Sequence, residues 1–161
     1  MIKSKDATID WLLQGDAAIR WQVLRDLLHS KDYPTEQAKV DSEGWGLALL
    51  QKQDADGYWA GGLYSPKWTS TTYTLQLLRQ LGLPAENEQA RMGCRLLLEK
   101  GFCPNGGISF WRNWPEGETC VSALVFGILS YFHFADSRLQ TMLDHLATQQ
   151  MADGGWNCRY P

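Results

Sequence analysis

Apolar residues recur along this chain at helical rather than strand spacing. Between Thr69 and Leu81 they fall at Tyr73, Leu77, Leu78 and Leu81, and the pattern halts at Gly82-Leu83-Pro84, a stop signal for a helix. Between Glu88 and Lys100, Cys94, Leu97 and Leu98 share one face, with Gly101 as the terminator. Ser137 to Gln150 is amphipathic through Leu139, Leu143 and Leu146, and Asp16 to Leu28 is another amphipathic helix. A further helix begins near Pro34-Thr35-Glu36, where proline suits the first turn, and carries Leu47 and Leu50. Glu118 to Phe132 differs: Val121, Leu124, Val125, Phe126, Ile128 and Leu129 cover nearly every side. A helix apolar all round is buried on both flanks, whereas an amphipathic one lies on an outer layer. Two layers are therefore predicted, with the Tyr73 and Leu124 helices inside and the Leu97 and Leu146 helices outside. No segment alternates as a strand would, so the fold class is all-α.

The helices are organised by a repeat. Leu49 to Trp59 and Leu146 to Trp156 both read L-x3-Q-x2-D-G-x-W, at an offset of 97 residues. Midway lies Asn105-Gly106-Gly107-Ile108, with Asn105 standing 49 residues after Asp56 and 48 before Asp153. This is a degenerate middle copy with Ile108 in the indole position. The reading is one domain over 1–161: an N-terminal helical segment over 1–30, then about three helical hairpin repeats over 31–161, the last incomplete.

Composition removes several function classes. Fifteen Lys and Arg against 18 Asp and Glu give a formal charge of −3, which offers no basic field for nucleic acid. The longest apolar stretch, Val121 to Phe134, is interrupted by Ser122, Gly127, Ser130 and His133 and falls short of the roughly 20 residues a membrane span needs. The N-terminus has no apolar signal core, and a cytoplasmic location is expected. Cys94, Cys103, Cys120 and Cys158 have 8, 16 and 37 residues between them and form no C-x-x-C pair, which points to free thiols. Eight of the 161 residues are Trp, an excess that implies a recurrent use of indoles in the fold.

The two L-x3-Q-x2-D-G-x-W copies resemble the QW motif of squalene and oxidosqualene cyclases, whose relatives include class II diterpene cyclases and the β subunits of protein prenyltransferases. The spacing of the copies is similar to that superfamily's as well. The resemblance implies helical hairpins that close into an α/α toroid. In it the Gln ties a helix end and the Trp packs across the turn, so Gln53, Asp56, Gly57 and Trp59, with Gln150, Asp153, Gly154 and Trp156, are expected to be scaffold residues. More narrowly, Gly61 to Leu75 and Asp153 to Tyr160 resemble bacterial prenyltransferase or squalene-cyclase repeat proteins. Those proteins run on beyond this point, which implies that the chain is a piece of a larger ring.

The chemistry of that superfamily is not visible here. Cyclases begin with protonation by a D-x-D-D carboxyl; Asp54-Ala55-Asp56-Gly57 lacks the fourth acid and reads as a turn. Prenyltransferases hold zinc through D-x-C and a distant His, and no D-x-C occurs. His29, His133 and His145 have no second ligand at i+3 or i+4, and the later oxygens of a calcium loop are missing after Asp54. Accordingly no catalytic residue, metal or cofactor is assigned. In a toroid the inner-helix N-termini converge on the cavity and favour an anion such as a diphosphate. The loops feeding them carry Tyr64, Lys67, Trp68, Thr71 and Thr72 in one repeat, and Ser109, Trp111, Arg112, Trp114, Glu118 and Thr119 in the next. Tyr64, Lys67, Trp68, Thr72, Trp111, Arg112, Trp114 and Glu118 are the candidate ligand-binding residues. Alternatively the indoles pack between hairpins and the cations are solvated. Two functions follow: a toroid-type protein binding an apolar or isoprenoid-like small molecule, or a non-catalytic helical scaffold for protein partners. The latter is favoured by Gly15 to Arg20, which is similar to HEAT-type helices. Open repeat ends also predict self-association.

Overall fold

The computed structural model describes residues 6–111 and 113–158, and every regular element among them is helical. The chain runs α1 (Ala7–Leu12), α2 (Ala17–Gln22, continued by a π-helical turn Val23–Leu27), α3 (Tyr33–Gln37, continued by a 3-10 turn Ala38–Asp41), α4 (Gly44–Leu50), α5 (Thr71–Leu81), α6 (Glu88–Gly101), α7 (Thr119–Tyr131) and α8 (Arg138–Thr148). No helix among the described residues is long and apolar enough to cross a membrane.

Helices succeed one another in space much as in sequence. α2 packs on α3 and α4, α4 on α5, and α5 on both α6 and α7; α7 in turn touches α6 and α8. Thus α5 and α7 lie side by side, with α6 against both. One continuous core runs from Ala17 and Trp21 through Leu75, Leu78, Leu97 and Leu98 to Val125, Ile128, Leu129 and Met142. Trp21 ties α2 to the end of α5, donating its indole N–H to the Leu81 carbonyl at 2.7 Å. Arg20 ties α2 to the following segments through Glu36 and Glu43.

Several boundaries fall where the sequence puts them. α5 ends at Gly82, whose φ of +85° is the left-handed cap that a residue with a Cβ adopts at a cost. α6 begins after Asn87, whose side chain accepts from the Ala90 amide at 3.0 Å.

Other expectations need correction. The helix predicted from Pro34 through Leu50 is broken after Asp41, because Gly44 adopts φ +61° and Asp16 reaches across to accept the Trp45 amide at 2.8 Å. Gly46 then lies so close to the Val40 carbonyl that no side chain fits between them. α5 buries Thr71, Thr72, Thr74, Leu75 and Leu78, while Leu77 is 40% exposed and Tyr73 is half-buried. α7 is not covered on every side either: Val121, Val125, Ile128 and Leu129 are buried, but Cys120, Ala123 and Ser130 are exposed and Leu124 and Phe126 half-buried. All four cysteines are free thiols.

Candidate functional site

Three turns of one design connect the helices. In the first, Gln53 donates its side-chain amide to the Gly57 carbonyl at 2.9 Å, and the Trp59 indole donates to the Leu49 carbonyl at 2.7 Å. In the third, Gln150 donates to Gly154 and Trp156 to Leu146, each at 2.7 Å. The middle turn keeps the backbone and drops the side chains. Its Cys103 amide donates to Gly107 at 2.9 Å, as Asp54 does to Tyr58 and Met151 to Gly155, while Phe102 and Ile108 pair as Gln53 and Trp59 do. Gly57, Gly106 and Gly154 all adopt φ between +86° and +89°, where a side chain is strained. Asp54, Asn105 and Asp153 each accept backbone amides within their own turn. Asp54 and Asp56 are therefore turn residues and do not form an acid pair in a cavity.

Each covered turn is sealed by hydroxyls of the next helix. The Trp59 amide donates to Thr71 Oγ1 at 3.1 Å, whose own hydroxyl donates to Gly62; the Ile108 amide donates to Ser122 Oγ at 2.8 Å. These contacts fix where α5 and α7 begin, and hence where their N-terminal loops lie.

At the start of α7 the middle turn, the 109–118 loop, α8 and the third turn enclose a cavity of about 550 Å³. Its wall includes Asn105, Trp111, Trp114, Glu116, Glu118, Thr119, His145, Gln149 and Cys158. Gly107 makes this arrangement feasible, since a Cβ there would stand 2.8 Å from His145 Nε2 and 3.0 Å from Ser122 Oγ. Two buried polar atoms in the wall have no hydrogen-bond partner among the described residues: Glu118 Oε1 and His145 Nε2. His145 as a whole is only 8% exposed. A buried polar atom left unpaired costs about 1–3 kcal/mol, so each is a position a ligand atom can occupy with profit. Beside the cavity, partial desolvation of the sulfur and contact with Cys158 push the thiol of the otherwise exposed Cys120 up to about 11.

A second, shallower cavity of about 310 Å³ lies at the start of α5, lined by Tyr58, Gly61, Leu63, Tyr64, Phe110 and Trp111. Tyr64 anchors its aromatic wall, with ring centroids 5.1 Å from Tyr73, 6.0 Å from Phe110 and 6.3 Å from Trp111. A hydrogen bond with Tyr73, aided by burial, raises the Tyr64 phenol well above its ordinary value.

The eight sequence-derived candidates thus separate. Trp111 borders both cavities, Trp114 and Glu118 line the larger and Tyr64 the smaller. Thr72 is buried with its hydroxyl donated to the Leu63 carbonyl at 2.7 Å, a structural bond. Lys67 and Trp68 are exposed, Trp68 at 76% with its ring 5.2 Å from Tyr73, and neither borders the two cavities. Arg112 lies outside the described residues. His145, Asn105, Glu116, Gln149 and Cys158 were not singled out by the sequence as cavity residues. His145 carried one usable signal: it follows Met142 by one helical step on a stripe that the structure buries.

No group of three or more His, Cys, Asp or Glu among the described residues is arranged to hold a metal ion. Comparison with protein-family models, with curated proteins and with solved structures returns no match.

Proposed function

We propose that this chain is a segment of a terpenoid-cyclase- or prenyltransferase-like α/α toroid and that it binds a small molecule with an apolar, isoprenoid-like body in the cavity at the start of α7. The toroid relationship is supported by the equivalent hydrogen bonds of the Gln53–Trp59 and Gln150–Trp156 turns. One observation carries the binding reading: a cavity of about 550 Å³ bordered by the two indoles Trp111 and Trp114 also holds two partnerless polar atoms, Glu118 Oε1 and His145 Nε2. Apolar walls with a few convergent polar groups are the usual make-up of a small-molecule site. Four free thiols suit a reducing compartment, and we assign the protein to the cytoplasm.

Farnesol, a neutral isoprenoid alcohol, tests the pocket. Titration should quench tryptophan fluorescence saturably, and Trp111→Ala should abolish most of the saturable component. Quenching that never saturates, or that is indifferent to Trp111→Ala, overturns the reading.

A second reading, a scaffold for protein partners or for further copies of itself, rests on a separate observation. Trp11, Trp45, Trp68 and Trp156 are all more than half exposed, at 69%, 55%, 76% and 53%. Large exposed indoles are common anchors of protein interfaces.

A further inference from the structure

The described lining of the larger cavity is acidic. Glu116 and Glu118 both line it, and no lysine or arginine stands among its described lining residues. Glu118 Oε1 is a buried acceptor without a donor, and His145 Nε2 is buried without a partner of either kind. In the tautomer that carries its proton on Nδ1, the imidazole presents Nε2 as a second acceptor. Trp111 and Trp114 add indole rings to the wall, and an indole face attracts a cation. The opposing influence is the N-terminus of α7, which begins at Thr119. A helix end amounts to roughly half a positive charge, less than the two carboxylates beside it.

Resting on the small-molecule reading of this cavity, we infer that its ligand carries a cationic primary-ammonium head, seated against Glu118 and His145, with its apolar body along Trp111 and Trp114. An ammonium brings three N–H donors and no acceptor, so a single head has one donor for the Glu118 oxygen and another for the His145 nitrogen. A hydroxyl has a single proton to donate and leaves one of them unmet. A phosphate or carboxylate head brings further acceptors to a carboxylate and is repelled. The diphosphate expected at an inner-helix N-terminus is therefore the disfavoured head at this one, since Glu118 itself occupies the capping position.

Three probes with the same ring and different heads isolate the inference: cyclohexylammonium, cyclohexanol and cyclohexanecarboxylate, each titrated by saturation-transfer NMR at neutral pH. A charge-assisted hydrogen bond and a cation–π contact predict that the ammonium binds about tenfold tighter than the alcohol, with the carboxylate weakest. Glu118→Gln keeps the side-chain shape and should collapse the preference, and the milder Glu116→Gln should halve it or less. Added salt should weaken the ammonium alone. Should Glu118→Gln fail to fold by circular dichroism, the wild-type ranking and the Glu116→Gln variant carry the decision. Equal affinity for the three heads, a preference for the carboxylate, or no binding of any probe overturns the cationic head. The farnesol result decides the pocket separately, because it depends on the apolar wall and not on charge.

Discussion

Trp59 donates its indole N–H to the Leu49 carbonyl, ten residues back in the chain, at 2.7 Å. Trp156 makes the identical bond to Leu146 at the same distance. Yet Trp59 is 2% exposed and Trp156 is 53% exposed. The hydrogen bond belongs to the turn, whereas the burial comes from elsewhere: α6 lays Gly93 against the Trp59 ring, which would stand only 3.0 Å from a Cβ at that position.

The two tryptophans should therefore respond differently to the same truncation. Trp59→Ala removes a buried indole from a turn it organises and is expected to destabilise by about 3–5 kcal/mol. Trp156→Ala leaves little cavity behind and should cost about 1 kcal/mol or less. Urea titration of both variants measures the contrast. Equal losses would mean that the hydrogen bond, and not the packing, sets the value of the motif.

The turns were legible in the sequence because their chemistry is local: Gln53 and Gln150 each reach a carbonyl four residues on. Ile108 could be assigned to the indole position for the same reason, and it sits there, paired with Phe102. Features that depend on distant contacts were not legible. The break before α4 is made by Asp16, 29 residues from the Trp45 amide it accepts. On α5 the buried face is built largely of threonines. Thr71, Thr72 and Thr74 donate their hydroxyls to the Gly62, Leu63 and Thr69 carbonyls, so these polar residues are buried without penalty and an apolar stripe does not reveal them. His145 and Glu118 meet in one cavity only because Gly107 leaves room for the imidazole, and neither residue's spacing records that.

A pH dependence follows from Asp136, just ahead of α8. Hydrogen bonds from the Arg138 side chain and backbone lower its pKa from 3.8 to about 2. Since the folded value lies below the unfolded one, the carboxylate stabilises the protein above about pH 4, and that contribution fades as pH falls toward about 2. Asp136→Asn should therefore lower Tm relative to wild type at neutral pH, with the gap closing across this acid interval. Thermal melts of both proteins over that range measure it. A gap that stays constant down to pH 2 would show that Asp136 acts by its shape and not by its charge.

The last turn bears on association. Three glycines occupy the same position in the three turns, and a Cβ on each reports what covers it. At Gly57 it would meet Met92 of α6 at 2.8 Å, and at Gly106 it would meet Thr141 and His145 of α8 at 3.0 and 3.2 Å. At Gly154 no described residue lies within 4 Å. The third turn thus presents uncovered the face that a helix occupies on the other two, with Trp156 and Leu143 of α8 exposed at 53% and 47%. Burying two such side chains stabilises by about 3–5 kcal/mol in total, enough to contribute to a weak contact but not to make a tight one. The 161-residue chain is therefore expected to begin associating reversibly between about 0.1 and 1 mM, because 3–5 kcal/mol corresponds to a Kd of about 0.2–6 mM. Sedimentation velocity at several concentrations should show the average coefficient rising. Trp156→Lys should hold it near the monomer value without lowering stability by more than about 1 kcal/mol, because the residue is already in water. A monomer throughout that interval, or association that Trp156→Lys leaves intact, would move the contact away from the third turn and toward the exposed indoles of Trp11 and Trp45.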